Sequence, residues 1–312
     1  MQMTGTERRS FELVRAQTPT GDAHGRAVFR LAYAMDAQDF VRALVPSKPQ
    51  LNRIFAGGQL RDADGAALAR TDVIATGEEV ELLLVPEGAM GPTSDAPLRV
   101  LYEDPFLLAA DKPAGILVHA DGTDTETLTA RVRGHLRRQG SAAVPQALHR
   151  LDVDTTGIVL FSLTRELQPA FDALVASDGG DGSRGLRKRY YALIEGSLPR
   201  ADADGWMTVD APIARDRHDA RRMRVGRTGK AATTRVRTVE RQGVYSLVEA
   251  ELVTGRRHQI RVHLAHLGHP IVGDALYGGA TSNDGLHLHA HGVRLVHPVT
   301  YELLSLESPC PW

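Results

Sequence analysis

The chain has 312 residues, 42% of them hydrophobic and 24% charged, with a formal net charge of −1. That length holds one large domain or two ordinary ones. The composition excludes a disordered chain, and no stretch approaches the ~18 consecutive apolar residues of a membrane span. The single cysteine, Cys310, excludes an internal disulfide and a zinc–thiolate cluster. Residues 1–9 lead into no apolar signal core, so a cytoplasmic location is expected. The average charge hides a gradient: residues 1–97 carry 10 basic and 13 acidic side chains, residues 180–270 carry 18 basic and 10 acidic. A net charge near zero therefore does not exclude a polyanionic partner.

In chain order, residues 1–88 read as a small N-terminal domain, closing in the strand-like run Glu79-Val80-Glu81-Leu82-Leu83-Leu84-Val85 after a Thr76-Gly77 turn. Residues 86–97 have linker composition, with three prolines, two glycines and no apolar period, and the linker proper is placed at 89–97. From 98 to 312 strands are predicted at 98–102, 106–110, 157–163, 189–195, 245–253 and 286–291. Helices are predicted at 125–139, 165–176 and 257–267. In the last helix Ile260, Leu264 and Leu267 recur on one face, leaving Arg257, His258 and Arg261 elsewhere, with the two arginines one turn apart. Residues 178–185 hold four glycines and read as a flexible loop. Adjacent strands without regular alternation argue for an α+β or mixed α/β fold rather than a doubly wound sheet.

Four constellations could carry chemistry. The first is His149-Arg150-Leu151-Asp152 followed by Val153-Asp154-Thr155-Thr156-Gly157: a carboxylate among cations, on a loop that enters the apolar run Ile158-Val159-Leu160-Phe161. Its bland reading is a surface ion pair; the Thr155-Thr156-Gly157 turn, able to clamp the loop through its hydroxyls, favours function. The second is Thr254-Gly255-Arg256-Arg257-His258-Gln259-Ile260-Arg261, where cations at a helix start oppose the macrodipole and call for an anion. The third is the strand from Lys188 to Gly196, whose alternation sends Tyr190, Ala192 and Ile194 to one face and Tyr191, Leu193 and Glu195 to the other. A tyrosine among cations can stack on a base, although a strand tyrosine is more often core. The fourth is histidine-rich: His258, His263, His266 and His269, then His287, His289 and His291. No carboxylate completes a ligand signature and His-Glu-x-x-His is absent, so hydrogen-bonded framework histidines are expected and no metal. Gly226 to Lys230 has the wrong spacing for a phosphate loop, and Ala231 stands where that motif needs a hydroxyl.

Taken together, these segments resemble the RluA-type pseudouridine synthase family. The family motif His-Arg-Leu-Asp-x-x-Thr-Ser-Gly matches residues 149–157 with Thr156 for serine. Its Lys-x-Tyr-x-Ala-x-Val-x-Gly strand matches Lys188, Tyr190, Ala192 and Gly196 with Ile194 for valine. Its Thr-Gly-Arg-Thr-His-Gln-Leu-Arg-Val-His segment matches 254–263, with Arg257 for threonine and Ile260 for leucine. Asp111-Lys112-Pro113-Ala114-Gly115, the run from Gly268 through Asp274 to Tyr277-Gly278, and Leu286 to Ala290 continue the match, so it covers about residues 98–310. His291 stands where an aromatic residue is usual, and the 178–185 loop is longer than usual.

The resemblance implies a central, mainly antiparallel sheet with an active-site cleft, preceded by a small N-terminal domain that only faintly resembles the RNA-binding module of relatives. Its acidic balance points as much to folding support or protein contact as to RNA. The implied reaction turns uridine into pseudouridine in ribosomal or transfer RNA: the C1′–N bond breaks, the uracil rotates and C5 rejoins C1′. No redox change occurs and no water is consumed, so no cofactor is expected. Asp152 is implied as the catalytic aspartate, by attack on the nucleotide or by abstraction of a ribose proton. Tyr190 is implied to pack on the base and Arg261 to pair with Asp152. The implied RNA contacts are His149, Arg150, Thr155, Lys188, Arg189, Arg222, Arg224, Lys230, Arg256 and Arg257. A monomer is expected. The basic segment and the diverged N-terminus also fit an RNA-binding or ribosome-assembly factor with secondary or lost catalysis, and the histidines a metal hydrolase.

Overall fold

A computed structural model describes residues 10–21, 23–86, 91–122, 126–176, 185–199 and 204–312. The N-terminal part runs β1 (Phe11–Gln17), β2 (Gly25–Leu31), β3 (Met35–Asp36), α1 (Ala37–Leu44), α2 (Lys48–Ala56), β4 (Leu60–Arg61), β5 (Val73–Ile74) and β6 (Glu79–Leu84). The remainder runs β7 (Arg99–Glu103), β8 (Leu107–Lys112), α3 (Leu128–Arg138), β9 (Gln146–Ala147), β10 (Thr156–Ser162), α4 (Gln168–Ala176), β11 (Arg187–Glu195) and β12 (Met207–Asp210). It continues with β13 (Ile213–Arg215), β14 (Met223–Val225), β15 (Thr233–Gln242), β16 (Tyr245–Leu252), α5 (Gln259–His266), β17 (Leu288–Val296) and β18 (Leu303–Glu307).

The larger sheet has the order β12-β15-β16-β11-β17-β10-β8-β7, with β18 beside β17 and β9 beside β10. Among the described residues its pairings are antiparallel except β10 with β17. That junction demands Gly157: its φ is +108° and a Cβ would strike the Ala290 main chain. Strands β8 and β10 are apolar nearly throughout because both faces are covered. Leu107, Ala109, Ile158 and Leu160 enter one apolar cluster, while Leu108, Ala110, Val159 and Phe161 enter another. The second cluster packs the sheet against Leu128, Val132 and Leu136 of α3 and Ile260 and Leu264 of α5. Each such fully buried side chain contributes about 1.5–3 kcal/mol of transfer free energy.

The first cluster joins the two parts of the chain. In α1, Ala37, Phe40, Val41 and Leu44 are buried at i, i+3, i+4 and i+7. They meet the four-stranded sheet β1-β2-β6-β4 and then Phe106, Phe171 and Val299. Phe11 contacts Phe29, Phe40 and Tyr301 at ring separations of 5.5, 5.2 and 5.7 Å. Buried Glu166 accepts from Gln59 Nε2 at 2.8 Å and from the Val85 amide at 3.0 Å, which satisfies a carboxylate at the seam. The described part of the expected linker, 91–97, lies along α3, with Asp95 paired to Arg138 and the Ser94 amide donating to Ala130. The glycine-rich residues 178–184 lie outside the described residues.

Candidate active site

A cleft of about 690 Å³ opens between the 148–155 loop, β11, the 252–258 turn and the start of α5. Asp152 lines it with 23% of its side chain exposed, so a ligand can reach the carboxylate. Its loop is held from behind by Lys112, whose ammonium donates to the carbonyls of Pro113 (2.9 Å), Val153 (2.7 Å) and Thr155 (2.9 Å). Burial pushes this lysine down to about 8, with Asp154 and Asp152 pulling the other way. The Thr155 amide donates to the Asp152 carbonyl at 3.2 Å, and Thr156 Oγ1 meets His289 Nδ1 at 2.7 Å. The clamp expected from the threonine hydroxyls is thus supplied chiefly by a buried ammonium. A charged residue reads as surface until the carbonyls around it are known.

Arg261 is brought to Asp152 as expected, with Nη1 to Oδ2 at 3.4 Å. Its tighter partner is Asp274, which it grips bidentately through Nε at 2.7 Å and Nη2 at 2.8 Å. Asp274 is 1% exposed and Arg261 is buried. Burial opposes the guanidinium charge, but the bonds and charge of Asp274, then of Asp152, more than offset it and raise its pKa. One arginine therefore bridges a buried structural carboxylate and an accessible one. The arginine alone could not reveal this; the faint signal was an aspartate ending the Gly268–Asp274 run.

Tyr190 reaches the same cleft from β11, buried, its phenol pushed up by burial and then by the Asp152 charge. Lys188, two residues earlier, faces the cleft too, and burial lowers its pKa. Arg189 does not. It lies on the opposite sheet face, bonded to Glu249 at 3.3 Å, because a period of two alternates neighbours across the sheet. Tyr191 shares that far face, stacked on His291 at 3.7 Å.

His149 lines the cleft, but its Nε2 accepts from the Leu160 amide at 3.3 Å. Burial, then the charge of Lys188, pushes it down to about 3, so it offers no cation to a phosphate at neutral pH. The unfolded chain takes up that proton near pH 6.5. Stability from this site is therefore full above about pH 6.5 and is lost as pH falls toward about 3. The loss should be on the order of 3 kcal/mol, at about 1.4 kcal/mol per unit with an allowance for partial exposure. His149→Gln should flatten the acid limb of a stability–pH curve measured by urea unfolding; an unchanged limb would refute this account.

Arg150, Arg256 and Arg257 line the cleft, as does Arg215, which the motifs did not mark. Arg257 is not on the helix: α5 starts at Gln259, after His258 in the left-handed region (φ 57°), so Arg257 and Arg261 are not a turn apart on one helix. Instead Arg257 Nη2 donates to the Arg221 carbonyl at 3.2 Å, and Arg256 Nε to that of Ala231 at 2.9 Å. Arg222 lies over the Tyr277 ring at 5.5 Å. Arg224 and Lys230 are outside the cleft wall: Arg224 folds toward Gly226, and Lys230 bonds through its main chain to Ile213. Thr155 is 2% exposed and contributes mainly its carbonyl, to Lys112.

Among the described residues no three histidine, cysteine or acidic side chains gather as a metal would need. His263 binds Thr234 Oγ1 and the Ala211 carbonyl, His269 the Glu195 carbonyl, His287 that of Gly285 and His291 Glu249. No helix among the described residues is long and apolar enough to cross a membrane.

A family model described as RNA pseudouridylate synthase matches residues 107–266. An uncharacterized RNA pseudouridine synthase of Bacillus subtilis is 35% identical over 275 residues, covering 86% of this chain and 87% of that protein. The ribosomal large subunit pseudouridine synthase D of Xanthomonas campestris is 36% identical over 271 residues, covering 80% and 77%. The solved structure of human RNA pseudouridylate synthase domain containing 1 superposes with a TM-score of 0.54 at 25% identity, over 70% of this chain and 86% of that one. With the family model spanning the Asp152 loop, Tyr190 and Arg261, and relatives this similar over most of the sequence, the chain belongs to the RluA-type RNA pseudouridine synthases.

Proposed function

We propose that the substrate uridine lies in ribosomal RNA of the large subunit and that Asp152 is the carboxylate acting on its ribose side. The carrying observation is that Asp152 is reachable in a nucleotide-sized cleft, 3.4 Å from a buried arginine and beside Tyr190. A base must leave its stack to enter such a cleft. Tyr190 then supplies a flat apolar wall, and Arg150, Arg215, Arg256 and Arg257 meet the phosphates at the rim. In the reaction C1′–N1 breaks, the base turns, C1′–C5 forms, C5 loses a proton and N1 gains one; the balance needs no oxidant, water or cofactor. The arginine beside Asp152 favours its ionised form, which serves either attack on C1′ or removal of a ribose proton.

The large-subunit target is supported by the names of relatives such as that of Xanthomonas campestris. The N-terminal domain, 1–88, is proposed to brace the larger sheet, since one apolar cluster runs through both. The protein is proposed to act as a cytoplasmic monomer. The test is tritium release from transcripts labelled at uridine C5. Release from large-subunit ribosomal RNA at a fixed stoichiometry is expected; release from transfer RNA alone would move the target there, and none from either would reject both.

A further inference from the structure

Two residues beside Asp152 have no part in the reading above. His258 is one of two non-glycine residues among those described with positive φ, the other being Tyr301. At φ 57° and ψ 21° it stands at the start of α5 without capping it through its side chain. Non-glycine residues held in the left-handed region cluster at functional sites. What the conformation achieves is a ring between two groups: His258 Nε2 lies 3.8 Å from Asp152 Oδ1, and Nδ1 lies 2.8 Å from the Tyr277 hydroxyl. The hydroxyl in turn accepts the Met223 amide proton at 2.9 Å. Met223 belongs to the β13–β14 hairpin, whose strands and connecting turn carry Arg215, Arg217, Arg221, Arg222 and Arg224.

The contacts favour one tautomer. The Tyr277 oxygen accepts from the Met223 amide, and His258 Nδ1, at 2.8 Å, stands where it can receive the hydroxyl proton. His258 then carries its hydrogen on Nε2, facing the Asp152 carboxylate. The opposite tautomer would turn a lone pair toward a negative oxygen. The ring of Tyr277 also lies under the Arg261 guanidinium, at 5.2 Å, and the Arg222 guanidinium, at 5.5 Å. Tyr277 therefore touches both the cation that holds Asp152 and the arginine-bearing β13–β14 hairpin.

We propose that His258 and Tyr277 are positioning residues that orient the Asp152 carboxylate, and that the basic hairpin controls them through the Met223 amide. The Met223 amide on the hairpin holds the Tyr277 hydroxyl, which sets the His258 tautomer and turns Nε2 toward one oxygen of Asp152. The inference rests on Asp152 being the reactive carboxylate.

Tyr277→Phe isolates the hydroxyl, because the phenyl ring keeps both guanidinium contacts. With the full chain and the RNA transcript that releases tritium, kcat is expected to fall about tenfold while the Kd for that RNA stays within twofold. In long-range proton–nitrogen spectra of protein labelled at histidine nitrogen, the His258 signals should move from the Nε2–H pattern to a mixture. They should keep the Nε2–H pattern in Asp152→Asn, where Tyr277 is intact. Should Tyr277→Phe fail to fold, His258→Ala is expected to lose about tenfold in kcat and His258→Gln, which retains an N–H near the position of Nε2, to regain most of it. Full kcat with an unchanged tautomer in Tyr277→Phe overturns the inference, as does equal impairment of His258→Ala and His258→Gln. Tritium release that survives in Asp152→Asn overturns instead the reading on which it rests.

Discussion

Asp152→Asn is expected to abolish tritium release, lowering kcat by about 10⁴-fold or more, as loss of a reacting group does in other enzymes. Asparagine has the shape of aspartate and leaves an oxygen able to face Arg261 Nη1, now 3.4 Å from the carboxylate. Its loop, clamped through main-chain carbonyls by Lys112, has no reason to move. What disappears is the charge and the basicity, and both routes to pseudouridine need one or the other. Thermal stability and RNA affinity should stay near those of the parent, which separates chemistry from folding and binding. Release at the parental rate by this variant would sink the assignment.

The second large effect falls on stability. Asp274→Asn removes the buried anion that takes two of the Arg261 hydrogen bonds, at 2.7 and 2.8 Å. Breaking one partner of a buried pair strands the other charge, and such losses run to about 3–5 kcal/mol. For a chain of this size that is roughly 10 °C in Tm. Activity should fall as well, because Arg261 loses the two-point grip that aims its Nη1 at Asp152. Arg261→Lys is expected to share this outcome, since an ammonium cannot make the bidentate contact. Calorimetry of the two aspartate variants decides the matter: Asp274→Asn must melt well below the parent and Asp152→Asn must not. If both melt with the parent, the bridge has been given the wrong weight.

The elements legible in the sequence were those whose burial was uniform or periodic. The runs Leu107–Ala110 and Ile158–Phe161, covered on both faces, read as strands without ambiguity. The face Ile260, Leu264 and Leu267 marked α5. Strand β15 was missed because one face is written in Arg235, Arg237 and Glu240, leaving Thr234 and Val236 on the other as its only fully buried positions. The start of α5 was placed two residues early because composition carries no sign that His258 takes a left-handed conformation.

At the site the same division holds. Three motifs in order named Asp152, Tyr190 and Arg261 as a group, and alternation along β11 already separated the Tyr190 face from the Tyr191 face. Arg189 belonged by that rule to the far side, where it meets Glu249. Lys112, Asp274 and Tyr277 were present in the matched segments without any role, and His258 was read only as one of the framework histidines. Their work consists of contacts between residues 13 to more than 100 positions apart, at angles set by packing: Lys112 with Val153, Arg261 with Asp274, His258 with Asp152. By itself, then, the sequence determined which carboxylate, aromatic ring and guanidinium belong to one family's motifs. Only the tertiary structure decided which buried charges hold them in place, because the cost of burying an ion, and the partners that offset it, exist only once the chain has closed around it.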